Sequence, residues 1–145
     1  MATFDKSDIV ENVLKNLIDI SGRKTSKGHA IGTIDNVIKK LELKYDFLKH
    51  IKINDNRFVE DDPAVSVMKD INKIDANKMG KAINDIISNT HFSLGNNAGH
   101  FFIKELQKNI GGDYNSVMKE MGVDLGLMQL ESEIKNIKKT ISKKE

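Results

Sequence analysis

Four histidines, His29, His50, His91 and His100, are the side chains in this sequence best suited to moving protons or holding a metal near neutral pH. His91 and His100 flank the loop Leu94-Gly95-Asn96-Asn97-Ala98-Gly99. A metal centre takes three or more ligands, and no His or carboxylate stands three or four residues after either histidine. The loop opens a helix whose free backbone amides can hold an anion. It has neither the Gly-Lys-Ser/Thr sequel of a phosphate loop nor the three-glycine dinucleotide pattern after a strand. We read it as a helix-opening loop in which Gly99 allows close helix packing. No serine sits in a nucleophile elbow, and zero cysteines remove thiolate nucleophiles, thiolate zinc sites and disulfides together. The acidic pairs Asp61-Asp62 and Glu131/Glu133 are assigned to a chain break and a solvated helix face. The expectation is a non-enzymatic protein with no metal and no cofactor. A small-molecule sensor with its pocket near Phe92, His100 and Phe102 is kept as an alternative.

A second constellation is basic. Arg23, Lys24, Thr25, Ser26 and Lys27, with His29 after them, fall between two helical stretches, and Arg57 follows near a hairpin turn. Helix–turn–helix–hairpin is part of the winged-helix arrangement, in which cations hold phosphates and a helix enters the major groove. Two features oppose a DNA-binding regulator. Arginine occurs only twice, and residues 1–62 carry 11 basic against 11 acidic side chains, so phosphate attraction starts without a net positive charge. An ordinary solvated turn capping the second helix is the preferred reading.

The third constellation is apolar. Val123, Leu127, Leu130, Ile134, Ile137 and Ile141 are spaced 4, 3, 4, 3 and 4, a 3.5-residue repeat. With Leu127 at heptad position a, Glu133 falls at g and Lys138 at the following e, which oppose each other across a parallel two-stranded coil. The run covers about two and a half heptads, short of a decisive coiled-coil signature. Left unpaired, it would be an exposed apolar patch of the kind monomers avoid. The expected interface is therefore Leu127, Leu130, Glu133, Ile134, Ile137, Lys138 and Ile141, in a homodimer. Packing of the same stripe within the chain is the alternative.

These groups need a scaffold. The chain has 145 residues, 39% hydrophobic and 30% charged, with a net charge of +2, as in one soluble compact domain. That balance excludes a strongly basic nucleic-acid coat protein. The absence of cysteine, of a long apolar span and of a signal peptide's apolar core makes a cytoplasmic protein without membrane attachment the expectation. Pro63, behind Glu60-Asp61-Asp62, divides a helix–helix–hairpin unit (1–62) from a helical unit (63–145) within what is expected to be one domain. Ser7 is expected to cap a first helix that Gly22 ends, with Ile9, Val10, Val13, Leu14, Leu17 and Ile18 as its stripe. Ala30, Ile31, Ile34, Val37, Ile38 and Leu41 mark the second helix, and aromatic bulk at Tyr45 and Phe47 follows. His50-Ile51-Lys52-Ile53 reads as a strand, Asn54-Asp55-Asn56 as its turn and Phe58-Val59 as the return. Val65, Val67 and Ile71 fit a short helix or an extended piece equally. Asp75 caps a helix through Met79, Ile83, Ile86 and Ile87, with breakers from Asn89 to Asn97. Helices over about Ala98–Ile110 and Tyr114–Met121 follow, ended by Gly111-Gly112 and by Gly122. Asp124 then caps the heptad helix. The fold class is mainly α, about six helices with one small β-hairpin near residues 50–60.

Ile20-Ser21-Gly22-Arg23-Lys24-Thr25-Ser26, Ala30-Ile31 and Lys44-Tyr45-Asp46-Phe47-Leu48 resemble the small output domains of archaeal signal-transduction proteins. So do Gly99-His100-Phe101-Phe102-Ile103-Lys104-Glu105-Leu106, Gly122-Val123-Asp124-Leu125 and Met128-Gln129-Leu130-Glu131. The resemblance touches about half the chain and implies a non-enzymatic module working beside a signalling protein partner, with no catalytic residue carried over.

Overall fold

Hydrophobic residues at helical spacing dominate the chain, and a computed structural model resolves them into a mainly helical fold describing residues 5–54, 65–99 and 101–144. Among these, six α-helices and two short strands appear: α1 (Lys6–Lys24), α2 (Lys27–Glu42), β1 (Ile51–Ile53), β2 (Val65–Val67), α3 (Ala76–Leu94), α4 (Phe102–Ile110), α5 (Gly112–Glu120) and α6 (Leu125–Lys144). Short 3-10 turns at Asp46–His50, Lys69–Lys73 and Gly95–Ala98 join them.

α1 is the central element. Its predicted stripe is buried throughout, and Ile20 and Ser21 are fully buried as well, because the helix packs on α2, α3, α4 and β2. α2 buries the six residues predicted for it. One hydrophobic core draws on both sides of Pro63, from Ile9 to Leu125.

Helix ends differ from expectation where tertiary partners intervene. Ser7 is not the cap of α1. Asp5 occupies the cap position, and the Ser7 amide donates to Asn72 Oδ1 at 2.8 Å, so a distant side chain satisfies the first turn. Gly22 does not end α1 either. It lies inside the helix, and the stop comes at Thr25, whose amide and hydroxyl both donate to the Ser21 carbonyl, at 2.9 and 2.7 Å. α3 runs past the expected breaker Asn89 but ends at Leu94, where the expected breaker Gly95 follows at φ +56°. Asn89 and Thr90 turn their side chains back onto the carbonyls of Asp85 and Ile86, at 2.7 and 2.8 Å, and so do not compete with the helix. Asp75 caps α3 as predicted, accepting from the amides of Asn77 and Lys78.

The hairpin is present with its second strand later than predicted. β1 pairs antiparallel with Val65–Val67, Ile51 opposite Val67 and Ile53 opposite Val65. Phe58-Val59 lies outside the described residues. Val65 is buried under α1, and this supplies the apolar cover that a two-stranded ladder needs.

Candidate functional site

α6 has two faces, and apolar side chains stand on both. Asp124 Oδ1 accepts from the Leu127 amide at 3.0 Å and starts the helix as predicted. Leu125 and Gln129 are then buried against the body, at 2% and 7% exposure, with Ser132 half-buried on the same side. Gln129 Oε1 accepts from the Lys104 amide at 3.1 Å and so caps α4 from a neighbouring helix, while its Nε2 donates to Glu133 Oε1 at 3.3 Å. Leu127, Leu130 and Ile134 instead stand 52%, 51% and 44% exposed. At about 100° of turn per residue they project roughly 140–200° around the helix from Leu125, on the far side from α4. Leu125, Met128 and Gln129 thus face the protein, and Leu127, Leu130 and Ile134 face water.

The predicted interface is brought together only in part. Val123, first member of the repeat, is buried in the core before α6 begins and cannot belong to a seam. Glu133 is half-buried and tied to Gln129, which draws it toward the body. Ile137, Lys138 and Ile141 lie within α6, but their side chains are outside the described part.

The basic cluster is largely engaged in the fold. Lys24 Nζ lies 3.1 Å from Glu105 Oε1 and Arg23 lies 3.9 Å from Glu105 Oε2, which ties the end of α1 to α4. Thr25 closes α1, and Ser26 caps α2 by accepting from the His29 amide at 3.2 Å. Lys27 is exposed in the first turn of α2. Arg57 lies outside the described residues. This is the solvated, capping turn with two of its cations paired.

Phe92 and Phe102, expected near one pocket, are not brought together. Phe92 is 86% exposed and Phe102 fully buried, so the two do not share a pocket, and His100 lies outside the described residues. Gly99 has φ +77°, a conformation that L side chains rarely adopt. A Cβ there would meet only Lys24 Nζ at 3.8 Å, so its glycine answers to the turn and not to helix packing. Among the described residues no cluster of three or more His, Asp or Glu forms a metal site. A shallow cleft of about 440 Å³ opens elsewhere, between Asp5, Lys6, Ile9, Asn72, Val117 and Glu120.

His91, in the last turn of α3, has its ring stacked on Phe102 of α4 with centroids 5.4 Å apart. Burial pushes its imidazole below the ordinary value of 6.5, and the ammonium of Lys135 on α6 adds to the effect. A lowered value in the folded state means that protonation favours the unfolded chain. Stability should therefore decline as pH falls below about 6.5 toward the lowered value, and level off beneath it. Thermal melts between about pH 8 and pH 5 should show this decline in the parent, and less of it in His91→Phe, which keeps the ring stack. Equal slopes in the two proteins would remove His91 as the cause.

One polar cluster joins residues distant in sequence. Tyr45 Oη donates to Asp85 Oδ2 at 2.6 Å, and Lys44 Nζ reaches the same oxygen at 3.2 Å. Removal from water and the bond to Asp85 raise the Tyr45 phenol above its usual range. The hydrogen bond and charge of Asp85 likewise raise the Lys44 ammonium. These residues are 40 positions apart, and no local spacing announces them. They tie the chain after α2 to the middle of α3.

No known family model matches this chain, and neither does any characterised protein or solved structure with which it was compared.

Proposed function

We propose that this protein is a cytoplasmic, non-enzymatic interaction module that forms a homodimer through α6. One observation carries the reading: Leu127, Leu130 and Ile134 line the face of α6 opposite to the one docked on α4. Intramolecular packing was the rival use of this stripe, and for these three residues the body lies on the other side. Three aliphatic side chains at 3- and 4-residue spacing match the requirement of a helix-in-seam contact, where each inserts between side chains of a facing helix. Burying them removes apolar surface from water at about 25 cal/mol per Å². No helix among the described residues is long and apolar enough to cross a membrane, and the cysteine-free composition fits a reducing compartment. The resemblance to archaeal output domains supports the same use, a module that acts by docking and not by chemistry.

Light scattering and sedimentation of the full chain test the reading. A dimer is expected at micromolar concentration; a monomer at every accessible concentration overturns it. Nucleic-acid binding through Arg23–Lys27 gains nothing from the geometry, because Glu105 already holds both Arg23 and Lys24.

A further inference from the structure

We infer that the second copy lies antiparallel, the two α6 helices running in opposite directions along the stripe. The inference rests on the self-association proposed above and goes beyond it to the geometry of the partner. Charge along this helix and its cap is segregated. Asp124, Glu131 and Glu133 stand within 124–133, where there is no Lys or Arg. Lys135, Lys138, Lys139, Lys143 and Lys144 stand within 134–144, where there is no Asp or Glu. A parallel pair sets five lysines beside five lysines, within the roughly 8–10 Å over which salt screens charge, and aligns the two helix dipoles side by side. An antiparallel pair lays the basic half of each helix along the acidic half of the other and opposes the dipoles. α6 has 20 residues, and an inverted copy covers the stripe from Leu130 to position 141, with Leu127 level with position 144 at the partner's helix end. Each body, docked on the far side of its own helix, then sits on the outside of the pair at opposite ends.

The register follows from the charges. In an antiparallel seam each a position meets a d position of the other helix. Position 134 then faces the partner's 137, and position 130 faces the partner's 141. This sets Glu131 against the partner's Lys138, twice by symmetry. Sliding by one heptad sets Glu131 against Glu131 and Glu133 against Glu133, which repel. The parallel arrangement relies on Glu133 as the partner of Lys138, yet Glu133 is held on the body side by Gln129 at 3.3 Å, whereas Glu131 is exposed. The heptad repeat places 137 at d, 138 at e and 141 at a.

The chain contains no cysteine, so introduced ones report cleanly. Full-length Leu130→Cys and 15N-labelled Ile141→Cys, which then differ in mass, are oxidised separately and as an exchanged equimolar mixture, and the products are weighed by mass spectrometry. The mixed disulfide is expected as the main covalent product. In this register two copies of position 130 lie roughly 16 Å apart along the axis, beyond the roughly 7 Å between Cα atoms that a disulfide spans. A Leu130→Cys homodimer forming as readily as the mixed product overturns the antiparallel arrangement and leaves self-association standing. A second arm uses charge. Glu131→Lys is expected to weaken the dimer about tenfold, and adding Lys138→Glu to restore it; a parallel seam gives no restoration. A chain that stays monomeric fails the self-association itself. One that stays monomeric and floats with vesicles of equal phosphatidylserine and phosphatidylcholine assigns the stripe to an anionic lipid surface instead.

Discussion

Ile134→Lys should yield a monomer that is as helical and as heat-stable as the parent. Ile134 is 44% exposed and faces away from α4, so the fold gains little from its side chain. Lysine is the better helix former of the two, since it lacks the branched Cβ that restricts χ1. Exposed substitutions of this kind usually change stability by no more than about 0.5 kcal/mol. In the dimer, by contrast, each copy presents an ammonium to an apolar seam, and two such groups lose hydration with no carboxylate opposite. A cost of about 3 kcal/mol for the pair raises Kd roughly a hundredfold. Sedimentation reads the dissociation, and circular dichroism with a thermal melt reads the fold. Loss of the cooperative melt along with the dimer would return Ile134 to the intramolecular core.

Gly80→Ala should destabilise the protein, and Gly32→Ala should stabilise it, although both glycines lie inside helices. In isolation either substitution favours the helix by about 1 kcal/mol, because alanine has less backbone freedom to lose. At Gly32 in α2 an added Cβ meets nothing within 4 Å, and a gain of about 0.5–1 kcal/mol is expected. At Gly80 in α3 the Cβ would overlap the carbonyl oxygen of Met121, where the chain turns from α5 toward α6. Met121 is buried, and the next carbonyl is fixed by Asn84 Nδ2 at 3.1 Å, so the turn cannot give way freely. Overpacking of this sort costs about 1–3 kcal/mol or more and outweighs the propensity gain. Urea titrations of the three proteins should place the midpoints in the order Gly32→Ala, parent, Gly80→Ala. A Gly80→Ala midpoint at or above the parent's would show that the α5–α6 turn is loosely held.

Much of the fold was legible because its determinants are local. The stripes of α1, α2, α3 and α4 read directly from 3.6-residue spacing, and each predicted member described here is buried or partly buried. The caps at Asp75 and Asp124 were equally plain, since a carboxylate two or three residues before free amides has one obvious use. The sequence is least legible where a side chain or strand finds a partner far along the chain. Asn72 takes over the first turn of α1, β1 pairs with Val65–Val67, and Glu105 occupies Arg23 and Lys24.

The heptad in α6 divides the two kinds of information most sharply. Its spacing is a property of the sequence, and so is the segregation of acids from lysines along it, because both follow from residue order and the pitch of a helix. Which way the stripe points is not such a property: a helix with one apolar face can turn it toward its own body or away. That choice was made by Leu125 and Gln129. One fills the core, the other satisfies the start of α4, and together they rotate Leu127, Leu130 and Ile134 into solvent. A rotation about a helix axis depends on contacts between elements distant in sequence, and only the tertiary structure contains them.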